Sequence, residues 1–151
     1  MNIATTFLAL GLLGAVSFAH AAPNCTIALE GSDQMQFNLK TVTVSASCAS
    51  ISIELVHTGK LPVAAMGHNV VISKTADMAS IASAGMKAGA AAGYVLKGDP
   101  TIVATTEMIG GGAKTSTKFA GSKLVAGGDY TFFCSFPGHS ALMKGTVIVT
   151  K

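Results

Sequence analysis

Short runs in which apolar and polar side chains alternate recur along this chain, and that period of two confines it to a framework of strands. Thr41-Val42-Thr43-Val44 and Ile51-Ser52-Ile53-Glu54-Leu55 alternate strictly, and Thr146-Val147-Ile148-Val149 is β-branched throughout. Thr26 to Leu29, Asn69 to Ser73, Ile102 to Met108, Lys114 to Phe119 and Asp129 to Cys134 are further candidates. Clusters of Gly, Ser, Asn or Lys bound the runs, as they do for half-buried strands. No repeat and no long linker divides the 151 residues. A single antiparallel sandwich of about eight strands is therefore predicted.

Residues 76–96 break the pattern. Ala76 to Met86 is rich in Ala and Met, and Met78, Ile81 and Ala82 would share one helical face. Thr75 or Asp77 is placed to cap the start, because a side-chain oxygen there accepts from a free N–H. Gly85, Gly89 and Gly93 should end or fray the helix. One short inserted helix is expected, followed by an Ala- and Gly-rich surface connection through Ala88 to Ala92.

Mean hydropathy is +0.55, high enough to call for a search for a membrane segment. Residues 1–21 contain no Asp, Glu, Lys or Arg. Their strongly apolar part, Phe7 to Val16, is only about half the length that crosses a bilayer. Ala19-His20-Ala21 follows as a small-x-small site. Apart from an n-region charged only at its amino terminus, this is the pattern of a secretory signal cleaved after Ala21. Ala22-Pro23-Asn24 lacks the aliphatic residue usual before a lipidated cysteine, which argues against a lipid anchor on Cys25. The exported part is then one domain, residues 22–151, with no membrane span, in a compartment where disulfides persist.

Ten Lys, no Arg and seven acidic residues give a formal charge of +3. Without a Lys cluster, that balance does not supply the several simultaneous phosphate contacts that nucleic-acid binding needs. Three cysteines leave one unpaired. Cys25 and Cys48 lie near strand ends early in the domain and are read as a disulfide, which leaves Cys134.

Cys134 lies in Phe132-Phe133-Cys134-Ser135-Phe136-Pro137-Gly138-His139-Ser140-Ala141-Leu142-Met143-Lys144-Gly145, between two strand-like runs. Pro137 and Gly138 bend that connection, which lets Cys134, His139 and Met143 converge. Thiolate, imidazole and thioether are the soft donors that select copper. No carboxylate lies between Tyr130 and Lys151 to favour a hard ion. A second imidazole would complete the set. His68, in Met66-Gly67-His68-Asn69 just before a strand, is the favoured candidate.

Over nearly all of residues 22–151 the chain resembles the azurins, small blue-copper proteins of the cupredoxin group. Gly31 to Asn38, Leu61-Pro62, Met66 to Asn69, Thr75 to Met78 and Tyr130 to Thr146 carry the resemblance. The Cys-x4-His-x3-Met spacing is specific within that group. The resemblance implies a Greek-key β-sandwich with one inserted helix. It implies one copper ion held by His68, Cys134 and His139, with Met143 as a weak axial ligand and the Gly67 carbonyl opposite. Asn69 is implied to tie the two ligand loops together, and the N–H groups of Asn69 and Phe136 to donate to the Cys134 sulfur. An apolar patch of Met35, Leu61, Met66, Met86, Phe136, Gly138 and Leu142 is implied around an exposed edge of His139. The implied function is periplasmic transport of single electrons by a monomer that is not an enzyme. Its implied partners are redox proteins such as c-type cytochromes, nitrite reductase or amine dehydrogenase.

A copper buffer or chaperone is the alternative. Such proteins favour exposed Met- or Cys-rich sites, whereas the Met residues here are dispersed. A copper enzyme would ask for a second metal centre that His57, His68 and His139 cannot furnish, and a metal-free adhesion sandwich is a third reading. His57 is read as a partly buried structural residue; the matching azurin His titrates and modulates its site. Two departures from the azurin pattern stand out. Val70 occupies a position where a buried Trp is common, which predicts a cavity or a repacked core, and the stretch after Met86 is unusually apolar.

Overall fold

The computed structural model describes residues 22–151, so the expected signal segment lies outside the described residues. Nine strands are present among these: β1 (Thr26–Ser32), β2 (Gln36–Phe37), β3 (Thr41–Ser45), β4 (Ile51–His57), β5 (Val71–Lys74), β6 (Ile102–Thr105), β7 (Lys114–Phe119), β8 (Tyr130–Phe133) and β9 (Lys144–Thr150). They form two sheets, β2-β1-β4-β7 and β3-β9-β8-β5-β6. The expected antiparallel order is only partly met. β1 pairs with β4, and β3 with β9, in parallel; the remaining pairings are antiparallel. A parallel pair cannot be joined by a hairpin. The chain instead leaves the first sheet to form β3 and returns to it as β4, the sheet-switching path of a Greek-key sandwich.

The period of two explains the packing. Ile27 and Leu29 of β1, Ile51, Ile53 and Leu55 of β4, and Val147 and Val149 of β9 all point into the main core. β8 is buried along its whole length, because both of its faces are covered. Phe132 enters the main core, with its ring centroid 5.6 Å from that of Phe37. Phe133 faces the other way, into a smaller cluster with Val71, Ile81 and Val95. Val70 is fully buried in the main core.

Two helices interrupt the strands, α1 (Val63–Met66) and α2 (Met78–Ala88). At four residues α1 carries no periodic signal and was absent from the sequence expectation. α2 presents Met78, Ile81 and Ala82 to the smaller cluster, as their spacing requires. Its start differs from expectation: a 3₁₀ turn, Thr75–Asp77, leads into it, and no side chain caps it. The Thr75 hydroxyl donates instead to Asp129 Oδ1, at 2.7 Å. Gly85 does not end the helix, which continues to Gly89 (φ +77°). Gly85 serves a close approach, since a Cβ there would collide with the Tyr94 carbonyl. No helix among the described residues is long and apolar enough to cross a membrane.

Cys25 and Cys48 form a disulfide across a sequence separation of 23. Closing a loop of that size stabilises the fold by roughly 3 kcal/mol in the chain-entropy model. Replacing both cysteines by Ala should lower the urea midpoint accordingly. Equal midpoints would refute that share of the stability.

Candidate metal centre

β8 runs directly into Cys134, whose N–H donates to the Met143 carbonyl at 3.0 Å. That bond closes residues 134–143 into a loop at the end of the β8–β9 ladder. Gly138 takes a left-handed turn (φ +82°) that an L side chain would resist. Beyond it, the His139 N–H donates to the Phe136 carbonyl at 3.0 Å, and the Met143 N–H to the His139 carbonyl at 2.7 Å. Main-chain bonds thus place Cys134, His139 and Met143 relative to one another before any metal is considered.

His68 arrives on a separate segment just ahead of β5. Its N–H and C=O pair with Ile109, at 2.9 and 2.8 Å. Its Nε2 donates to the Ser32 carbonyl at 2.9 Å, which leaves the lone pair on Nδ1 free. Gly31 makes room for the ring, since a Cβ there would lie 2.7 Å from His68 Cδ2.

The two segments bring three donors together. Cys134 Sγ lies 3.9 Å from His68 Nδ1 and 3.6 Å from His139 Nδ1. All three donor atoms lie within 4.8 Å of one another, and all three residues are buried. A triangle with sides of about 4 Å has its centre about 2.3 Å from each corner, the length of a metal–thiolate bond. One thiolate and two imidazoles around such a centre fit a single copper ion.

Asn69 joins the loops. Its Nδ2 donates to Ser135 Oγ at 2.8 Å, and its Oδ1 accepts from the Ser135 N–H at 2.9 Å. The Cys134 thiol points at the Gly67 carbonyl, 3.7 Å away. Met143 is fully buried in the main core.

Burial pushes the Cys134 thiol up to about 11, although main-chain hydrogen bonds from Asn69 and Phe136 pull it back. Burial, and then the neighbouring His68 and His57, bring His139 down to about 4. Burial also lowers His68, partly offset by its bond to Ser32. The metal-free site at pH 7 is therefore a thiol beside two neutral imidazoles. The imidazoles need lose nothing to bind metal, whereas the thiol must give up its proton. Binding of Cu(II) at pH 7 should release about one proton per ion, and affinity should rise about tenfold per pH unit from 7 to 9. Unbuffered titration with a pH electrode measures this, and zero release would contradict it.

His57, expected to be partly buried, is fully buried and stacks on His68 with ring centroids 4.2 Å apart. Its Nε2 donates to the Met66 carbonyl at 2.8 Å, and its Nδ1 accepts from the Gly59 N–H at 3.0 Å. His139, expected to show an exposed edge, is only 3% exposed. Phe136 packs on its ring, with centroids 4.5 Å apart. Leu142 (57%), Met86 (53%) and Leu61 (41%) are exposed. Gly138 is exposed too, while Met35, Met66 and Phe136 are half-buried. Met35, Leu61 and Met86 stand on three other parts of the fold, the β1–β2 turn, the approach to α1, and α2.

Sequence reasoning missed Gly31, Ser32 and Ser135. Ser135 had a signal, its place beside Cys134. The other two had only their place in the stretch Gly31 to Asn38 that carries the resemblance, because their role depends on β1 ending against the His68 ring.

A family model described as copper binding proteins, plastocyanin/azurin family, matches residues 23–150. The chain is 54% identical over 123 residues to an azurin from Alcaligenes faecalis, covering 82% of this chain and 96% of that one. It is 49% identical over 138 residues to an azurin from Bordetella pertussis, covering 91% and 92%. A solved structure of the azurin Az-iso2 from Methylomonas sp. strain J superposes with a TM-score of 0.80 at 40% identity, covering 84% of this chain and 98% of that one. The sandwich, the triad of soft donors and these likenesses agree: the chain belongs to the plastocyanin/azurin family of copper binding proteins, among the azurins.

Proposed function

We propose that residues 22–151, released from an export signal at residues 1–21, carry single electrons in the periplasm as a monomer. The observation that supports this most is the set of three buried soft donors, already within 4.8 Å of one another. Bound by His68, Cys134 and His139, copper supplies a one-electron couple between Cu(II) and Cu(I). Met143 and the Gly67 carbonyl would add two weaker donors to that set. Asn69 and the loop's own main-chain bonds hold the donors fixed, so that little rearrangement accompanies a change of charge. The N–H groups of Asn69 and Phe136 stabilise negative charge on the Cys134 sulfur.

The surroundings suit a carrier better than an enzyme or a buffer. Both ring nitrogens of His57 are occupied, so it offers no free acid or base. Burial of all three donors disfavours rapid handover of metal. Electrons leave near His139, through an apolar patch in which Leu142 is the most exposed member. Such a surface favours brief encounters with redox proteins such as c-type cytochromes, nitrite reductase or amine dehydrogenase. Leu142→Lys should slow electron exchange with a c-type cytochrome about tenfold, equivalent to 1.4 kcal/mol, and leave the visible absorption intact. Unchanged rates in stopped-flow mixing would place the exit elsewhere.

A further inference from the structure

The His68 ring hangs by its Nε2 from the Ser32 carbonyl. Where that carbonyl points is set by the plane of the Ser32–Asp33 peptide. On one side the plane is held by a tight turn, in which the Met35 N–H donates to the same carbonyl at 3.1 Å. Met35 takes a left-handed φ of +55°, which costs free energy in a residue with a side chain. The turn therefore needs support from outside itself.

Asp33 supplies that support. Its Oδ2 accepts from the Lys60 N–H at 2.8 Å, and its Oδ1 from the Leu61 N–H at 3.4 Å. The Lys60 N–H above all holds the carboxyl below the usual carboxylate range, so it is ionised at neutral pH. A Cβ at Gly59 would collide with the carboxylate, so glycine leaves the room that it occupies. On the other flank of Ser32, the Thr58 N–H and hydroxyl both donate to the Gly31 carbonyl, at 2.8 and 3.1 Å. The turn that orients His68 is thus stitched to the segment that follows β4. His57 does not compete for the carboxylate. Its Nε2 lies 3.9 Å from Asp33 Oδ1, and the proton on that nitrogen goes to the Met66 carbonyl.

We infer that Asp33 is a positioning residue for the metal centre: its carboxylate clasps the main chain at Lys60 and Leu61, fixes the Ser32 carbonyl, and through it aims the Nδ1 lone pair of His68. The inference rests on His68 being a copper ligand. Asp33 acts through Ser32 and not on the metal. A ring held by one hydrogen bond swings when its acceptor moves, and a metal–imidazole bond tolerates little misdirection.

Asp33→Ala removes both acceptors. In the metal-free variant, exchange of the His68 Nε2 proton with solvent, read by NMR, should quicken about tenfold, a factor that the loss of a hydrogen bond to a charged group supports. The Cys134 N–H, bonded to Met143 on the other ligand loop, should exchange as in wild type. In the copper-loaded variant the visible band should broaden, and the copper hyperfine lines in electron paramagnetic resonance should spread. Asp33→Ser, polar but one bond shorter, should behave in the same way and serves as the second variant. Asp33→Asn keeps an acceptor for the Lys60 N–H and loses the charge, and should restore most of both signals. An unchanged His68 proton in both truncated variants would overturn the assignment. Equal quickening at His68 and Cys134 would overturn it by reducing it to general stability, and Asp33→Asn behaving like Asp33→Ala would reduce it to an effect of charge. The ligand role of His68 stands or falls apart from this, on whether His68→Gly loses the visible band.

Discussion

Cys134→Ser should abolish the intense visible absorption of the copper-loaded protein and weaken Cu(II) binding at least a thousandfold, about 4 kcal/mol. The sulfur is the donor shared by the two imidazoles, at 3.9 Å from His68 Nδ1 and 3.6 Å from His139 Nδ1. A hydroxyl of similar shape keeps the loop folded. The 3.0 Å bond from residue 134 to the Met143 carbonyl is main chain and survives, and the Gly67 carbonyl offers an acceptor for the new O–H. The hydroxyl cannot supply the soft anionic donor that selects copper or the sulfur orbital from which charge transfer arises. Calorimetric titration and the visible spectrum of the same samples separate lost affinity from lost colour. A surviving band in Cys134→Ser would remove the thiolate from the centre.

Asn69→Leu is expected to cost about 2–5 kcal/mol of stability, because it strips two partners from Ser135 in a fully buried place. The wild-type amide accepts from the Ser135 N–H at 2.9 Å and donates to its hydroxyl at 2.8 Å. Leu fills a similar volume but leaves that N–H buried and unpaired, and an orphaned buried donor costs its full desolvation. Asn69 is also the cross-link between the segment that carries His68 and the loop that carries Cys134 and His139. Its loss should therefore loosen the donor triangle as well as the fold. Urea unfolding of the metal-free variant measures the first effect, and the width of its copper-loaded visible band the second. A midpoint within error of wild type would show that the two loops need no tie.

The strands of this fold were legible where one face is wet. β1 and β4 alternate in burial much as they alternate in sequence, whereas β7 and β9 alternate in burial without a matching apolar–polar alternation, Ile148 of β9 being exposed. Their order was not legible, since a period of two says which face is buried and nothing about the neighbour. The parallel pairings of β1 with β4 and of β3 with β9 are therefore invisible in any one segment. β2 and α1 were too short to show a period at all. Gly85 misled because glycine reads as a helix breaker, whereas here it admits the Tyr94 carbonyl.

The metal centre was legible for a different reason. Cys134, His139 and Met143 lie on one loop, so spacing alone brings them close. His68 is distant in sequence, and its choice rested on the donor set needing a second imidazole. Phe136, three residues before His139, packs against its ring, a contact that the loop's spacing does not record. His57 reached the site only through the packing of β4 against the His68 segment, which no local pattern records.

Stepwise addition of Cu(II) to the metal-free protein, followed by alternating one-electron reduction and oxidation, puts the central claim to trial. The expected result is one intense visible band that saturates at one ion per chain, vanishes with one electron and returns in full over repeated cycles. Saturation at another ratio, or a band that fails to return after a single cycle, would contradict an electron carrier built on His68, Cys134 and His139.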